Sequence, residues 1–130
     1  MNSFPLHAPE KPELRHLAKE TCESLGLKDG MTHRFMLAAF AAARVFDHKQ
    51  QKYGPDNIAE FGEIGVMIRV NDKVKRRVNL WRTDQAPGDE TIEDTWGDIA
   101  NYALIALMCR WGLWPKVEAA NVIKEKSDAQ

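Results

Sequence analysis

The sequence predicts an all-α fold, a single-domain bundle of four to five helices. Apolar residues recur at helical spacing in successive segments, and glycine or proline separates these segments from one another. Strand-like alternation is not evident in any of them. At 130 residues the chain has the size of one domain. We therefore expect an irregular N-terminal arm over residues 1–11 and one helical domain over residues 12–130, with its core at 32–112.

The first two helices have clear start and stop signals. The first is predicted from Pro12, which suits the first turn of a helix, to about Leu25, before Gly26. The second is predicted from about Thr32 to Gln51, where apolar side chains form a broad face. It stops before the pair Gly54 and Pro55.

The remaining helices are predicted from periodicity and capping residues. The third runs from about Ile58 to Asn79, with apolar positions spaced by three and four. The fourth begins after a cap at Asp89 or Thr91 and extends to about Trp111. A short terminal helix over 116–126 completes the predicted bundle.

Composition excludes several classes of protein. The net charge is −1 and 28% of residues are charged, so no global basic surface indicates nucleic-acid or membrane binding. The apolar run over 99–108 is about half as long as a membrane span requires. The N-terminus lacks a secretory signal pattern, and Cys22 and Cys109 belong to no motif. These features favour a reduced, cytoplasmic protein.

The predicted fourth helix carries polar side chains within an apolar segment. Asp94, Asp98, Asn101 and Tyr102 are spaced i, i+4, i+7 and i+8, which places them on one helical face. Burying two carboxylates is costly unless a cation or a bound divalent metal compensates them. The alternative for Asp94 is simple compensation of the helix dipole in the first turn.

The predicted third helix offers matching groups. Arg69, Asp72, Lys73 and Arg76 also share one face, and we expect this face to meet that of the fourth helix. Asp72 with Asp94 and Asp98 would form an oxygen-only site of the kind that Mg²⁺ or Mn²⁺ prefers. The cations could bind phosphates, or they could form ordinary solvated ion pairs.

A third candidate group lies at the end of the predicted second helix. Lys49, Lys52 and Tyr53 could contact a nucleotide, by charge and by stacking of the ring. The alternative is that they complement the helix dipole and anchor the helix end.

Residues 45–108 resemble a known family. The matching motifs are Lys49-x-x-Lys52-Tyr53-Gly54, then Gly62-x-x-Gly65-x-x-x-Arg69-x-x-Asp72-Lys73-x-x-Arg76, then Asp94-Thr95-x-x-Asp98-x-Ala100-Asn101-Tyr102. Together they look like the phage and bacterial nucleotide modification associated domain 1 family. More distantly, the order of helices is similar to the all-α nucleoside triphosphate pyrophosphohydrolases of the MazG-like and dimeric dUTPase type.

The resemblance implies a metal-dependent reaction. That superfamily is a helical bundle that holds Mg²⁺ with an ExxE pair and an ExxD pair and releases a monophosphate and pyrophosphate. Here Thr95 stands where the Glu of ExxD is expected, and Arg69 where the first Glu of ExxE is expected; Glu60-x-x-Glu63 is the alternative pair. The implied catalytic residues are Asp72 and Asp98, and the implied metal ligands are Asp72, Asp94, Asp98 and Glu63. The implied nucleotide-binding residues are Lys49, Lys52, Tyr53, Arg69, Lys73, Arg76, Asn101 and Tyr102.

Three functions therefore stay open. The first is a Mg²⁺-dependent pyrophosphohydrolase acting on (d)NTPs or modified nucleotides. The second is a non-catalytic protein that sequesters a nucleotide in the same pocket, and the third is an interaction protein whose polar faces are merely salt-bridged. Trp111, Trp114 and the amphipathic second helix also predict a homodimer or higher homo-oligomer.

Overall fold

The computed structural model describes residue 6 and residues 11–115, and within this part of the chain the fold is built from four α-helices. They are α1 (Pro12–Ser24), α2 (Gly30–Tyr53), α3 (Gly62–Thr83) and α4 (Ile92–Arg110). The predicted all-α class is confirmed. The predicted terminal helix at 116–126 lies outside the described residues.

Local side-chain chemistry sets the start of two helices. The Asp29 carboxylate accepts a hydrogen bond from the Met31 backbone N–H at 2.7 Å and caps α2. A capping box starts α4: the Thr91 hydroxyl accepts from the Asp94 N–H, and the Asp94 carboxylate accepts from the Thr91 N–H. Thr91, one of the two predicted caps, is therefore the N-cap of α4.

The main difference from the predicted boundaries concerns α3. This helix begins at Gly62 rather than Ile58, and turns occupy residues 55–61. Gly62 has a φ of +65°, a left-handed conformation that interrupts any helix continuing from residue 58. At the other end α3 continues past Asn79 to Thr83, where Asp84 adopts a φ of +51° and stops it.

The helices pack in an open chain of contacts with α4 near its centre. In the described residues α1 packs on α2, α2 packs on α4, and α3 packs extensively on α4. Buried apolar side chains from all four helices form the core: Ala18, Cys22, Ala42, Val45, Val66 and Ile105. This core is small, and many larger apolar side chains stay exposed on the outer faces of the helices.

Across the described residues, none of the four helices combines the length and the apolar character needed to cross a bilayer.

The capping box gives a first prediction about stability. We expect Thr91→Ala to lower the free energy of unfolding by about 1 kcal/mol, because the Asp94 N–H at the start of α4 loses its acceptor. Urea denaturation followed by circular dichroism measures this difference. Thr83→Ala is the matched control, since the exposed Thr83 hydroxyl only donates to the Asn79 carbonyl within α3. Equal losses in the two variants would contradict the capping role.

Candidate functional site

Asp98 is the centre of the candidate site. It lies on α4 with 4% of its surface exposed, and lysines from two other helices bind its two oxygens. Lys49 Nζ of α2 lies 2.6 Å from Oδ1, and Lys73 Nζ of α3 lies 2.9 Å from Oδ2. Buried charge is tolerated because both oxygens have a charged donor. The predicted meeting of polar faces from the third and fourth helices is thus present, and α2 joins it.

A second set of charges adjoins Lys73. Glu90, just before α4, accepts a hydrogen bond from Lys73 through Oε1, and its Oε2 lies 3.1 Å from Arg76 Nη1. The fully buried Thr95 hydroxyl accepts from Arg76 at 2.8 Å and lies 2.9 Å from Glu90 Oε2. Arg76 also donates to the Pro87 and Glu90 carbonyls. This network fixes the segment before α4 against α3.

Burial and charge act on Lys73 in opposite directions. Burial alone would lower the pKa of its ammonium group. The hydrogen bonds and negative charges of Glu90 and Asp98 outweigh burial and raise the pKa above its usual 10.5. Lys73 is therefore a fixed positive charge at physiological pH.

Tyr102 lies beside these charges on α4. Burial, followed by the charge of Asp98, raises the pKa of its phenol above 10.0. The positive charges of Lys73, Lys49 and Arg69 also act on the phenol and oppose this increase. Three cations from α2 and α3 are thus close enough to influence one half-buried ring.

The charges of this region do not cancel. Lys49, Arg69, Lys73 and Arg76 contribute four positive charges, whereas Asp98, Glu90 and Asp94, whose carboxylate interacts with the charge of Lys49, contribute three negative ones, which leaves a net charge of +1. The Lys49 side chain is 41% exposed, so solvent reaches this cation. An anion can therefore approach the group from the side of Lys49.

The Asp94 carboxylate is bound by backbone groups of the protein. One carboxylate oxygen accepts from the Leu6 N–H at 2.9 Å and the other from the Thr91 N–H at 3.1 Å. Burial would raise its pKa, but these hydrogen bonds outweigh burial and lower the pKa below 3.8. The Leu6 side chain lies over Gly97, where an added Cβ would come within 2.7 Å of a Leu6 methyl group. Asp94 thus caps α4 and holds Leu6 against it.

Other predicted site residues have separate surroundings. Asn101 is buried and donates to the Ala42 carbonyl at 3.0 Å, which ties α4 to α2. Glu63 pairs with Arg110 at 3.1 Å, and Lys52 lies 5.5 Å from the centre of the Tyr53 ring. Five of the residues predicted for the site are exposed to solvent: Lys52, Tyr53, Glu63, Arg69 and Asp72.

The four carboxylates predicted to hold a metal do not converge. Asp72 is exposed, Asp94 is a helix cap, and Asp98 is bound by two lysines. In the described part of the chain, no group of three or more histidine, cysteine, aspartate or glutamate side chains could hold a metal ion. These carboxylates, as placed, do not fit Mg²⁺ or Mn²⁺, and the metal site stays a prediction.

Two members of the network were absent from the predicted site. Glu90 precedes the N-cap of α4 and carries no periodic signal, because it lies outside the helix. Thr95 stood out only as a departure from ExxD. Its position one turn after Thr91 and on the side of Asp98 is the signal that could have placed it in the interior.

A comparison of the chain with protein-family models, curated proteins and solved structures finds no match. The family resemblance stays a prediction, and the site is interpreted from its geometry and charge.

The buried ion pairs predict a stability effect. We expect Asp98→Asn to lower the free energy of unfolding by about 2 kcal/mol, because Lys73 loses a charged acceptor while keeping Glu90. Denaturant titration measures the loss. Glu63→Gln breaks the exposed pair with Arg110 and is the control, with an expected loss of less than about 0.5 kcal/mol. An unchanged Asp98→Asn variant would show that the two lysine contacts add nothing to stability.

The surroundings of Asp94 predict a dependence on acid. Because its folded-state pKa is lowered, its contribution to stability is present above pH 3.8 and disappears as pH falls through the lower folded-state value. We therefore expect wild type to be more stable than Asp94→Asn at pH 7, with a difference that shrinks below pH 3.8. Urea titrations from pH 7 to pH 2.5 test this expectation. A difference that stays constant over this range would contradict it.

Proposed function

We propose that this protein binds a phosphorylated nucleotide at the site formed by Lys49, Lys73 and Asp98. The observation that carries the proposal is the convergence of two lysines from different helices on a single carboxylate. Lys73 has Glu90 as a second counter-ion, whereas Lys49 shares Asp98 with Lys73, so the positive charge on the side of Lys49 is only partly compensated. Lysine ammonium groups are common ligands for phosphate oxygens and act as point charges.

The different exposure of Lys49 and Asp98 indicates the side from which a phosphate would approach the site. Lys49 is partly open to solvent, whereas Asp98 lies beneath it and is almost fully buried. A phosphate would therefore meet the ammonium group before the carboxylate. Arg69 is exposed on α3 and its charge acts on Tyr102, so it extends the positive region outward. Such a region also attracts anions over several ångströms, and added salt weakens this attraction.

The positive charge of the site supports a phosphate group as ligand. The family resemblance is the reason for proposing that this phosphate belongs to a nucleotide. Tyr102 offers a half-buried ring beside the cations for orienting the ligand. Hydrolysis to a monophosphate and pyrophosphate is the further step that the resemblance implies. Free thiols at Cys22 and Cys109 agree with the proposed cytoplasmic setting in a bacterial or phage-infected cell.

Binding should depend on Lys49 in a measurable way. We expect Lys49→Met to raise the Kd for a (d)NTP by about 10- to 100-fold, which corresponds to the loss of one charge-assisted contact. Lys75→Met is the matched control, because Lys75 is exposed on α3 and belongs to no part of the site. Isothermal titration calorimetry with (d)NTPs, (d)NMPs, pyrophosphate and inorganic phosphate, at two salt concentrations, measures these constants.

The same mixtures distinguish binding from turnover. Incubation with Mg²⁺ or Mn²⁺, followed by ion-exchange chromatography, detects monophosphate and pyrophosphate. Products formed by wild type and absent with Lys49→Met would support the hydrolase, whereas binding without products would support a sequestering protein. Failure of every phosphate compound to bind, or equal weakening by Lys75→Met, would overturn the proposal.

A further inference from the structure

The helix α4 carries apolar side chains on its outer side as well as toward its neighbours. From Ile99 to Cys109 it contains no charged residue. Its inner side contacts α2 and α3, and the residues there include Asp98 and Asn101. A soluble helix normally presents polar residues to solvent, whereas the outer side of α4 is apolar and is left uncovered by the residues that the structure describes.

The uncovered side forms one continuous apolar surface. We call it the outer α4 face. Its residues are Trp96, Ala100, Ala103, Leu104 and Leu107 of the helix and Trp111 at the C-cap. All six are exposed, with Trp96 at 55%, Leu104 at 54%, Leu107 at 39% and Trp111 at 66%. Monomeric proteins rarely leave large contiguous apolar patches in water.

The size of this face is suitable for a protein interface. The exposed parts of its two tryptophans and two leucines amount to on the order of 400–500 Å², given the usual areas of such side chains. This is more than half of the roughly 800 Å² that each partner contributes to an interface of standard size. By contrast, the exposed apolar residues in and just before α3 fall into two shorter groups, at 61–68 and at 74–81, with the exposed polar residue Asn71 between them.

The order of residues along the face is self-complementary. Reversing the helix about a point between Ala103 and Leu104 places position 96 opposite 111, position 100 opposite 107, and position 103 opposite 104. Each alanine then lies opposite a leucine, and each tryptophan lies opposite the other tryptophan. Small residues opposite large ones allow two helices to pack closely, and an isologous twofold contact requires this kind of reciprocity.

We infer that the outer α4 face binds the same face of a second copy of this chain, with the two α4 helices antiparallel. Residues 116–130 are a poorer match, because their sequence contains only three large aliphatic side chains and no aromatic one. Leu107 lies nine residues from Asp98, about half a turn around the helix from it. The interface therefore leaves the Lys49 and Asp98 site on the other side of α4, and the inference stands apart from ligand binding.

The oligomeric state gives the first test. Light scattering after size exclusion should give twice the chain mass of 14.8 kDa for the 130-residue chain at micromolar concentration. Leu104→Glu should shift the protein to a monomer, with the helical circular dichroism retained because Leu104 is already exposed within one chain. Ile64→Glu, at an apolar position on α3 that is even more exposed than Leu104, is the control and should stay dimeric. A monomeric wild type, or a dimer that survives Leu104→Glu, would overturn the inference.

Cross-linking tests the orientation independently of stability. Differently tagged Ala100→Cys and Leu107→Cys chains, co-expressed and oxidised, should form a disulfide with each other and not with themselves. In the antiparallel pair, Ala100 is opposite Leu107 of the partner subunit but about 10 Å along the axis from its own copy, which exceeds disulfide reach. A parallel pair would instead link each variant to itself. Wild type, with Cys22 and Cys109, is the control for background oxidation.

Discussion

The contact between Asp98 and its two lysines determines how the helices of this protein are arranged. Because α3 and α2 each pack on α4, the position of α4 decides where both of them lie. Asp98 is the point at which α4 meets Lys49 of α2 and Lys73 of α3. Apolar packing is non-directional, whereas a carboxylate with two fixed donors specifies both rotation and register. The hydrogen bond from Asn101 to the Ala42 carbonyl is a second directional contact between α4 and α2.

The remaining polar residues support the same arrangement, and they also determine what chemistry the site can perform. Arg76 holds Glu90 and Thr95, and Asp94 closes the capping box and binds Leu6. Each of these groups uses its hydrogen-bonding capacity within the protein. The excess charge is therefore cationic and lies toward the partly exposed Lys49, and the proposal of an anionic ligand is based on this excess.

Helical spacing alone was sufficient to predict the fold class, Asp98 as a buried polar residue, and the meeting of Lys73 with α4. Which side of α3 faces α4 was harder to predict. Asp72 and Arg69 share a predicted face with Lys73, yet both are exposed, whereas Val66, Lys73 and Arg76 are among the α3 residues that are buried or partly buried. Lys49 contacts Asp98, 49 residues away in the sequence, and Glu90 contacts Lys73, 17 residues away. Helical periodicity describes only neighbours within one helix, so it could not predict these contacts. Local capping likewise accounts for Asp94, which spacing had placed beside Asp98.

The pattern of α4 connects its fold with its assembly. A typical surface helix has polar residues toward solvent and apolar residues toward the core, but α4 has Asp98, Asn101 and Thr95 inside and Trp96, Leu104 and Leu107 outside. The inner polar groups are satisfied within one chain, so they do not need a partner. The outer apolar groups have no such compensation in the described chain, and burying them is favourable because it removes apolar surface from water. In the proposed dimer, α4 lies between the other helices of its own chain and the partner subunit. Its polar side makes contacts within the chain and its apolar side makes the contact between subunits, which accounts for both halves of this pattern.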